Sequence, residues 1–221
     1  MTTIDNINIE REFLNFLRNA DILTTTQRGV TTTIDTYSAT GGAQTFTLTQ
    51  TSGKNIRYVK QNGTSLIFGT DYTYTYSSTG QITQVIVSKV LTLGDAITIQ
   101  YDYGTGDAIY PDYPRPDLSI SSYPRVSFDI YNMTTTFAGY GKSYVTNISI
   151  MIDIFDISKS TANTKYKILR DAIVNNQNSF FYLSYIYPTN YHQIEPVSDF
   201  GKYKLYKIGL DIQSDNNFEI N

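Results

Sequence analysis

Between residues 29 and 104 the chain is a succession of short segments in which polar and apolar residues alternate, each closed by turn residues. Thr45-Phe46-Thr47-Leu48-Thr49 has period two, which buries one face of a strand and leaves the other wet. Residues 30–34 are β-branched, and residues 56–60, 71–76, 82–87 and 96–101 repeat the pattern. Asn62-Gly63 is the strongest short hairpin signal, because a type I′ turn needs φ > 0 at both central positions. Ser78-Thr79-Gly80 and Gly94-Asp95 turn the chain again. Strands about ten residues apart with turn chemistry between them fold as a compact sandwich or barrel.

The flanks read differently. Ile9, Phe13, Phe16, Leu17 and Ala20 form a stripe at helical spacing, with Asp5 or Asn6 as cap and Arg18 near the C-terminal end. This helix stops near Ala20. Residues 104–117 are rich in Gly and Pro, which favour extended loop over central strand, and they mark the far edge of the β block. Residues 126–130 and 145–157 then read as strands, the second strictly alternating towards its end, with a loop at Phe137-Ala138-Gly139-Tyr140-Gly141 between them. Ser158 or Ser160 caps a second helix whose stripe is Ala162, Tyr166, Leu169 and Ile173, widened by Ile168 and Ala172. Residues 180–187 read as a strand ended by Pro188, and residues 203–212 as the last strand.

The first helix has no partner in the β block, but joined to the third block it gives helix, two strands, helix, two strands. The expected fold is therefore α+β: a small mixed sheet with two packed helices, carrying an inserted all-β, sandwich-like domain. Its core comprises residues 1–28 and 118–221, and the insertion with its return linker comprises residues 29–117.

Composition bounds the function. Charged residues are only 17% of the chain, the net charge is −3, and 20 Tyr and 11 Phe take up the difference. So aromatic a chain is not disordered, and one so poor in positive charge lacks the basic face that sequence-specific nucleic-acid binding needs. Zero Cys excludes disulfides and thiolate chemistry, and a single His argues against a His-built metal centre or a Ser-His-Asp triad. The first 28 residues carry seven charged side chains and no signal-peptide core, and the longest apolar stretch, residues 148–155, is too short to span a bilayer. The expectation is a protein made in a cytoplasm, carried out only as part of an assembly, without membrane contact.

No catalytic constellation emerges, and no enzymatic activity, cofactor or metal is expected. His192 falls in the expected loop after Pro188 and has no evident partner for acid–base work. Asp153 and Asp156, three apart on a strand, point to opposite faces and cannot act as a carboxylate pair, so at least one belongs at an edge, a turn or a contact between subunits. Asp102 and Asp107 flank a Gly-rich stretch that lacks the context and Lys of a phosphate loop. Asp21 lacks a calcium-loop spacing around it. Tyrosines are the more informative feature. Tyr72, Tyr74 and Tyr76 share one strand face, Tyr101 and Tyr103 share another, and Tyr110, Tyr113 and Tyr123 punctuate the Pro-rich passage. They read either as ordinary half-buried strand faces or as a contact surface, since Tyr offers large amphipathic area at low entropic cost. A carbohydrate platform is a third reading. The candidate contact residues are Tyr72, Tyr74, Tyr76, Tyr101, Tyr103, Asp153 and Asp156. Scarce Lys at strand edges points towards assembly as well.

Two stretches carry resemblances. The run Asn62-Gly63-Thr64-Ser65-Leu66, then Gly69-Thr70-Asp71-Tyr72, Gly80-Gln81-Ile82 and Gly94-Asp95-Ala96-Ile97-Thr98-Ile99-Gln100-Tyr101 resembles a small β-sandwich module common in tailed-phage structural proteins. Helix 1 with residues 118–213 is similar in element order to the tail-terminator and tail-completion family of long-tailed viruses. The matching pieces are Pro124-Arg125-Val126-Ser127-Phe128-Asp129-Ile130, the strand at 148–157 and Leu169-Arg170-Asp171-Ala172-Ile173. This resemblance implies a non-enzymatic virion protein of the neck or tail end. It implies a homo-oligomeric, six-fold ring that ends the tail tube and meets the tail tube protein and the head–tail connector or adaptor protein. The insertion would project as decoration or clamp a neighbour. The alternative expectation is a β module of a fibre or baseplate that binds a host receptor or glycan.

Overall fold

The computed structural model describes residues 6–77, 80–106, 108–111, 123–137, 143–200 and 203–219. In chain order the elements are α1 (Asn6–Asn19), α2 (Thr25–Arg28), β1 (Thr31–Ser38), β2 (Gly42–Thr47), β3 (Gly53–Gln61), β4 (Thr64–Ser65), β5 (Tyr72–Tyr76), β6 (Ile82–Leu91), β7 (Ala96–Tyr103), β8 (Ile109–Pro111), β9 (Arg125–Phe137), β10 (Ser143–Asp156), α3 (Lys159–Asn175), β11 (Ile186–Phe200) and β12 (Tyr203–Glu219). The chain is mostly strand, with a few helices and curled antiparallel sheets. It divides into two compact units, one made of Met1–Leu23 with Ala108–Asn221 and the other of Thr24–Asp107.

In the discontinuous unit a five-stranded sheet runs β11-β12-β10-β9-β8, antiparallel except for β8 against β9. Strict alternation along β10 puts Ile148, Ile150, Ile152 and Ile154 on one face, all fully buried. Ile208, Leu210 and Ile212 of β12 and Val126 and Phe128 of β9 join them in one core. Both helices bury their stripes in that core, α1 through Ile9, Phe13 and Leu17, and α3 through Ala162, Leu169 and Ile173. The Phe13 ring meets Phe128 edge-on at 5.3 Å, an arrangement favoured by the ring quadrupoles. Ser158 caps α3 by accepting the Thr161 N–H.

The inserted unit is a seven-stranded sheet that joins two groups of strands at a single pairing. One group is β1-β7-β3 with β4 beside β3, the other β2-β6 with β5 on the far side of β6, and they meet at Gly53 opposite Ile82. A Cβ on Gly53 would lie 2.4 Å from the Ile82 carbonyl oxygen, so only glycine permits that approach. Ile56, Val59, Ile97, Ile99 and Tyr101 from the first group share a core with Phe46, Tyr72, Ile82, Val85 and Val87 from the second. Asn62 and Gly63 form the two-residue turn between β3 and β4, both with positive φ, as their identity predicts.

Several sequence expectations change. The second unit begins at Thr24 rather than residue 29 and ends at Asp107 rather than residue 117. A one-turn helix, α2, opens it, closed by a reciprocal Thr24–Gln27 capping box and by Gly29 at φ 64°. Four residues are too few for helical periodicity to show. The β8 segment, expected within the return linker, is instead the edge strand of the five-stranded sheet. Residues 180–185 are irregular, and β11 runs through both Pro188 and Pro196. It tolerates them because it is an edge strand whose register shifts at both prolines. Ile168, expected to widen the α3 stripe, is exposed, and Lys165 takes the buried position instead. The expectations placed on Asp5, Ser78-Thr79, Asp107, Tyr113, Pro114, Pro116 and residues 138–141 lie outside the described residues.

Candidate functional site

Tyr72, Tyr74 and Tyr76 do share a face of β5, and that face turns inward. Tyr72 is buried and its phenol is pushed up to about 12 by burial. Tyr74 and Tyr76 are half-buried against the same core, with Phe68 stacked on Tyr74 at 5.0 Å and Tyr74 edge-on to Tyr76 at 5.5 Å. On β7, Tyr101 is fully buried and Tyr103 packs beside it with ring centroids 6.4 Å apart. The five tyrosines therefore serve the core of the inserted unit. Tyr74, Tyr76 and Tyr103 keep a part of their surface exposed, whereas Tyr72 and Tyr101 present none worth the name.

The Tyr101 hydroxyl is the hinge of a polar cluster that alternation alone does not reveal. It donates to Asp35 Oδ2 at 3.0 Å and accepts the Gln50 N–H at 3.0 Å. Asp35 also receives the Thr49 N–H at 2.8 Å, the Thr49 hydroxyl at 2.6 Å and the Tyr37 hydroxyl at 3.0 Å. Burial works against the Asp35 charge, yet these four donors hold its carboxyl below the usual range. The hydroxyls of Tyr37 and Tyr101 shift upward, first through burial.

A second cluster ties the two ends of the inserted unit together. Asp102 on β7 lies between Thr32 on β1 and Asn55 on β3 in the sheet register. Arg28, the last residue of α2, reaches Asp102 Oδ2 at 2.9 Å and Asn55 Oδ1 at 2.6 Å. Arg57 Nε and the Thr32 hydroxyl reach the other oxygen, at 2.7 and 2.6 Å. The Arg28 and Asp102 side chains are both 0% exposed. Burial opposes the Asp102 charge, but hydrogen bonds from Arg57 and Thr32 and the two guanidinium charges outweigh it and lower its pKa. Next to this pair, Gly29 and Gly106 approach so closely that a Cβ on Gly106 would lie 2.5 Å from the Arg28 carbonyl oxygen.

Asp153 and Asp156 point to opposite faces of β10, as their spacing predicts, and both are buried within the chain rather than placed at an edge. Asp156 accepts from Lys165 Nζ at 2.7 Å and so links β10 to α3. Asp153, on the face away from the helices, pairs with Lys207 at 3.0 Å, while its Oδ1 has no hydrogen-bond partner. Burial raises its pKa despite that pairing. His192 lies on β11 rather than in a loop, because the strand continues past Pro188, and its Nε2 is 2.9 Å from Asp211 Oδ1. Among the described residues no group of three His, Asp or Glu side chains is placed to hold a metal ion, and no helix is long and apolar enough to cross a membrane.

These carboxylates thus act as structural anchors, each engaged by donors of its own unit. Exposed apolar side chains sit elsewhere, including Ile34 on β1, Ile67, Val90 and Leu93 in the inserted unit and Tyr131, Phe181 and Tyr185 in the other. No family model matches the chain, and no curated protein matches it.

Proposed function

We propose that the chain is a structural virion protein, a subunit of an oligomeric ring at the neck or tail end, and not an enzyme. We read its discontinuous unit as an α+β domain and its inserted unit as a sandwich-like module. In this reading the ring, most simply six-fold, ends the tail tube and meets the head–tail connector. The supporting observation is the way Met1–Leu23 and Ala108–Asn221 combine. Helix α1, the strands, α3 and the β11–β12 hairpin form one unit across an insertion of more than eighty residues, in the element order of tail-terminator proteins. The polar residues that might have served catalysis are engaged in ion pairs and hydrogen bonds within each unit.

Mass measurement of the purified protein and imaging of virions labelled at this subunit test the reading. A ring-sized mass and label at the junction of head and tail are the expected results. A strictly monomeric protein absent from particles overturns it.

A further inference from the structure

We propose that the edge of β1 in one copy pairs, strand to strand, with the open edge of β9 in the next copy, so that the inserted unit clamps its neighbour. The inference rests on the ring reading above and names the surface that closes it.

A sheet edge exposes unpaired N–H and C=O groups, and proteins that stay apart blunt such edges with Lys, Pro, bulges or short strands. The edges of this chain differ sharply by that test. Strand β11 carries Pro188, Pro196 and three register shifts. Strand β2 has six residues and a register shift at Gly42/Gln44, and β5 has five residues. Strand β1 has none of these devices. All eight residues from Thr31 to Ser38 pair one-to-one with β7 on one side, without a shift, and the sequence TTTIDTYS contains no Lys, Arg or Pro. Its single charge, Asp35, is turned inward and held by Thr49, Tyr37 and Tyr101, so it guards nothing. Ile34 points outward and is 52% exposed.

The second open edge is on β9. Strand β8 covers only Val126, Ser127 and Phe128, and beyond them, up to Phe137, β9 has β10 on one side and no partner strand on the other among the described residues. That stretch, DIYNMTTTF, again lacks Lys, Arg and Pro. Two clean edges of about equal length therefore stand on two different units of one chain. A contact between unlike patches is heterologous, and repeated around an axis it closes a ring, whereas a patch that pairs with itself stops at a dimer. An eight-residue ladder of about 27 Å would satisfy both edges with main-chain hydrogen bonds.

The test combines mass and cross-linking on the full chain. Ile34→Lys places a charge on the outer face of β1 at an already exposed position. Ile34→Cys is paired in turn with Asn132→Cys, Thr134→Cys or Thr136→Cys, the chain having no other cysteine. The expected result has three parts: an oligomeric wild type, a folded Ile34→Lys protein (by circular dichroism) reduced to monomer, and at least one double-cysteine protein oxidising to a ladder of multimers. If the wild type is oligomeric while Ile34→Lys keeps its mass and no pair cross-links, the edge proposal fails and the ring reading stands. If Ile34→Cys alone gives dimers as fast as the pairs do, β1 pairs with itself and the proposal is overturned. A monomeric wild type removes the ring reading together with this one.

Discussion

Glu12 sits on the buried face of α1, and its carboxylate accepts the backbone N–H groups of Phe181 and Tyr182 at 2.5 and 2.9 Å. Burial raises its pKa from 4.5 to about 7 in spite of those two donors. A carboxyl raised in the folded state stabilises that state only while protonated. The contribution is complete below the ordinary value and is lost as pH rises through the raised one. Unfolding free energy from denaturant titration should therefore fall by about 3 kcal/mol on going from mildly acidic to mildly alkaline buffer. Glu12→Gln should flatten that slope, and an unchanged slope in the variant assigns the titration to another group. Asp102 behaves oppositely. Its lowered pKa stabilises above the ordinary carboxylate range and is lost on acidification. Arg28→Ala strands the buried Asp102 carboxylate with only its remaining donors, and should cost about 3–5 kcal/mol. Arg170→Ala, at an exposed pair with Asp171, should be nearly silent in the same denaturation experiment. Neither Glu12 nor Arg28 declares this role in the sequence, because each partner lies far along the chain.

At the scale of elements, the strands and the two long helices were legible because their periods are local properties. Residues 148–154 alternate in sequence and alternate in burial. The exceptions are instructive. The α2 turn is too short for a period, and β11 passes through two prolines because only an edge strand can spare the missing N–H. Glycine placement carries tertiary information that period analysis does not use. Gly53→Ala should force β3 and β6 apart where they meet, at a cost of about 1–3 kcal/mol, read as a lower melting temperature. Gly63→Ala should cost less, about 1 kcal/mol, since its Cβ would meet nothing and only the positive φ resists it. Equal losses at the two positions would argue against the close approach at Gly53.

For the whole molecule, the division into Met1–Leu23 with Ala108–Asn221 and Thr24–Asp107 predicts separable folding. The inserted unit has its own core, and Arg28, Asp102, Gly29 and Gly106 bring its two ends together. The excised fragment 24–107 should unfold cooperatively on its own, and replacing it by a short Gly-Ser linker should leave the other unit folded. Circular dichroism melts of both proteins check this, with a fragment that never shows a cooperative transition as the contrary result. Candidate contact residues fared unevenly at this scale. Alternation put the tyrosines of each strand on one face, but which face meets the core was decided by the opposite strand group, and Tyr72 and Tyr101 went inside.

The amino-acid sequence determined what depends on neighbours along the chain: the helical stripes, the period-two strands, the Asn62-Gly63 turn and the opposed faces of Asp153 and Asp156. Tertiary structure alone decided what depends on residues far apart. It chose Asn55, Arg57 and Arg28 as the setting of Asp102, made an edge of β11, and left β1 and β9 open. The reason is physical. Periodicity reports which side of an element is apolar, whereas burial of a polar group or exposure of a strand edge is set by what the fold brings beside it.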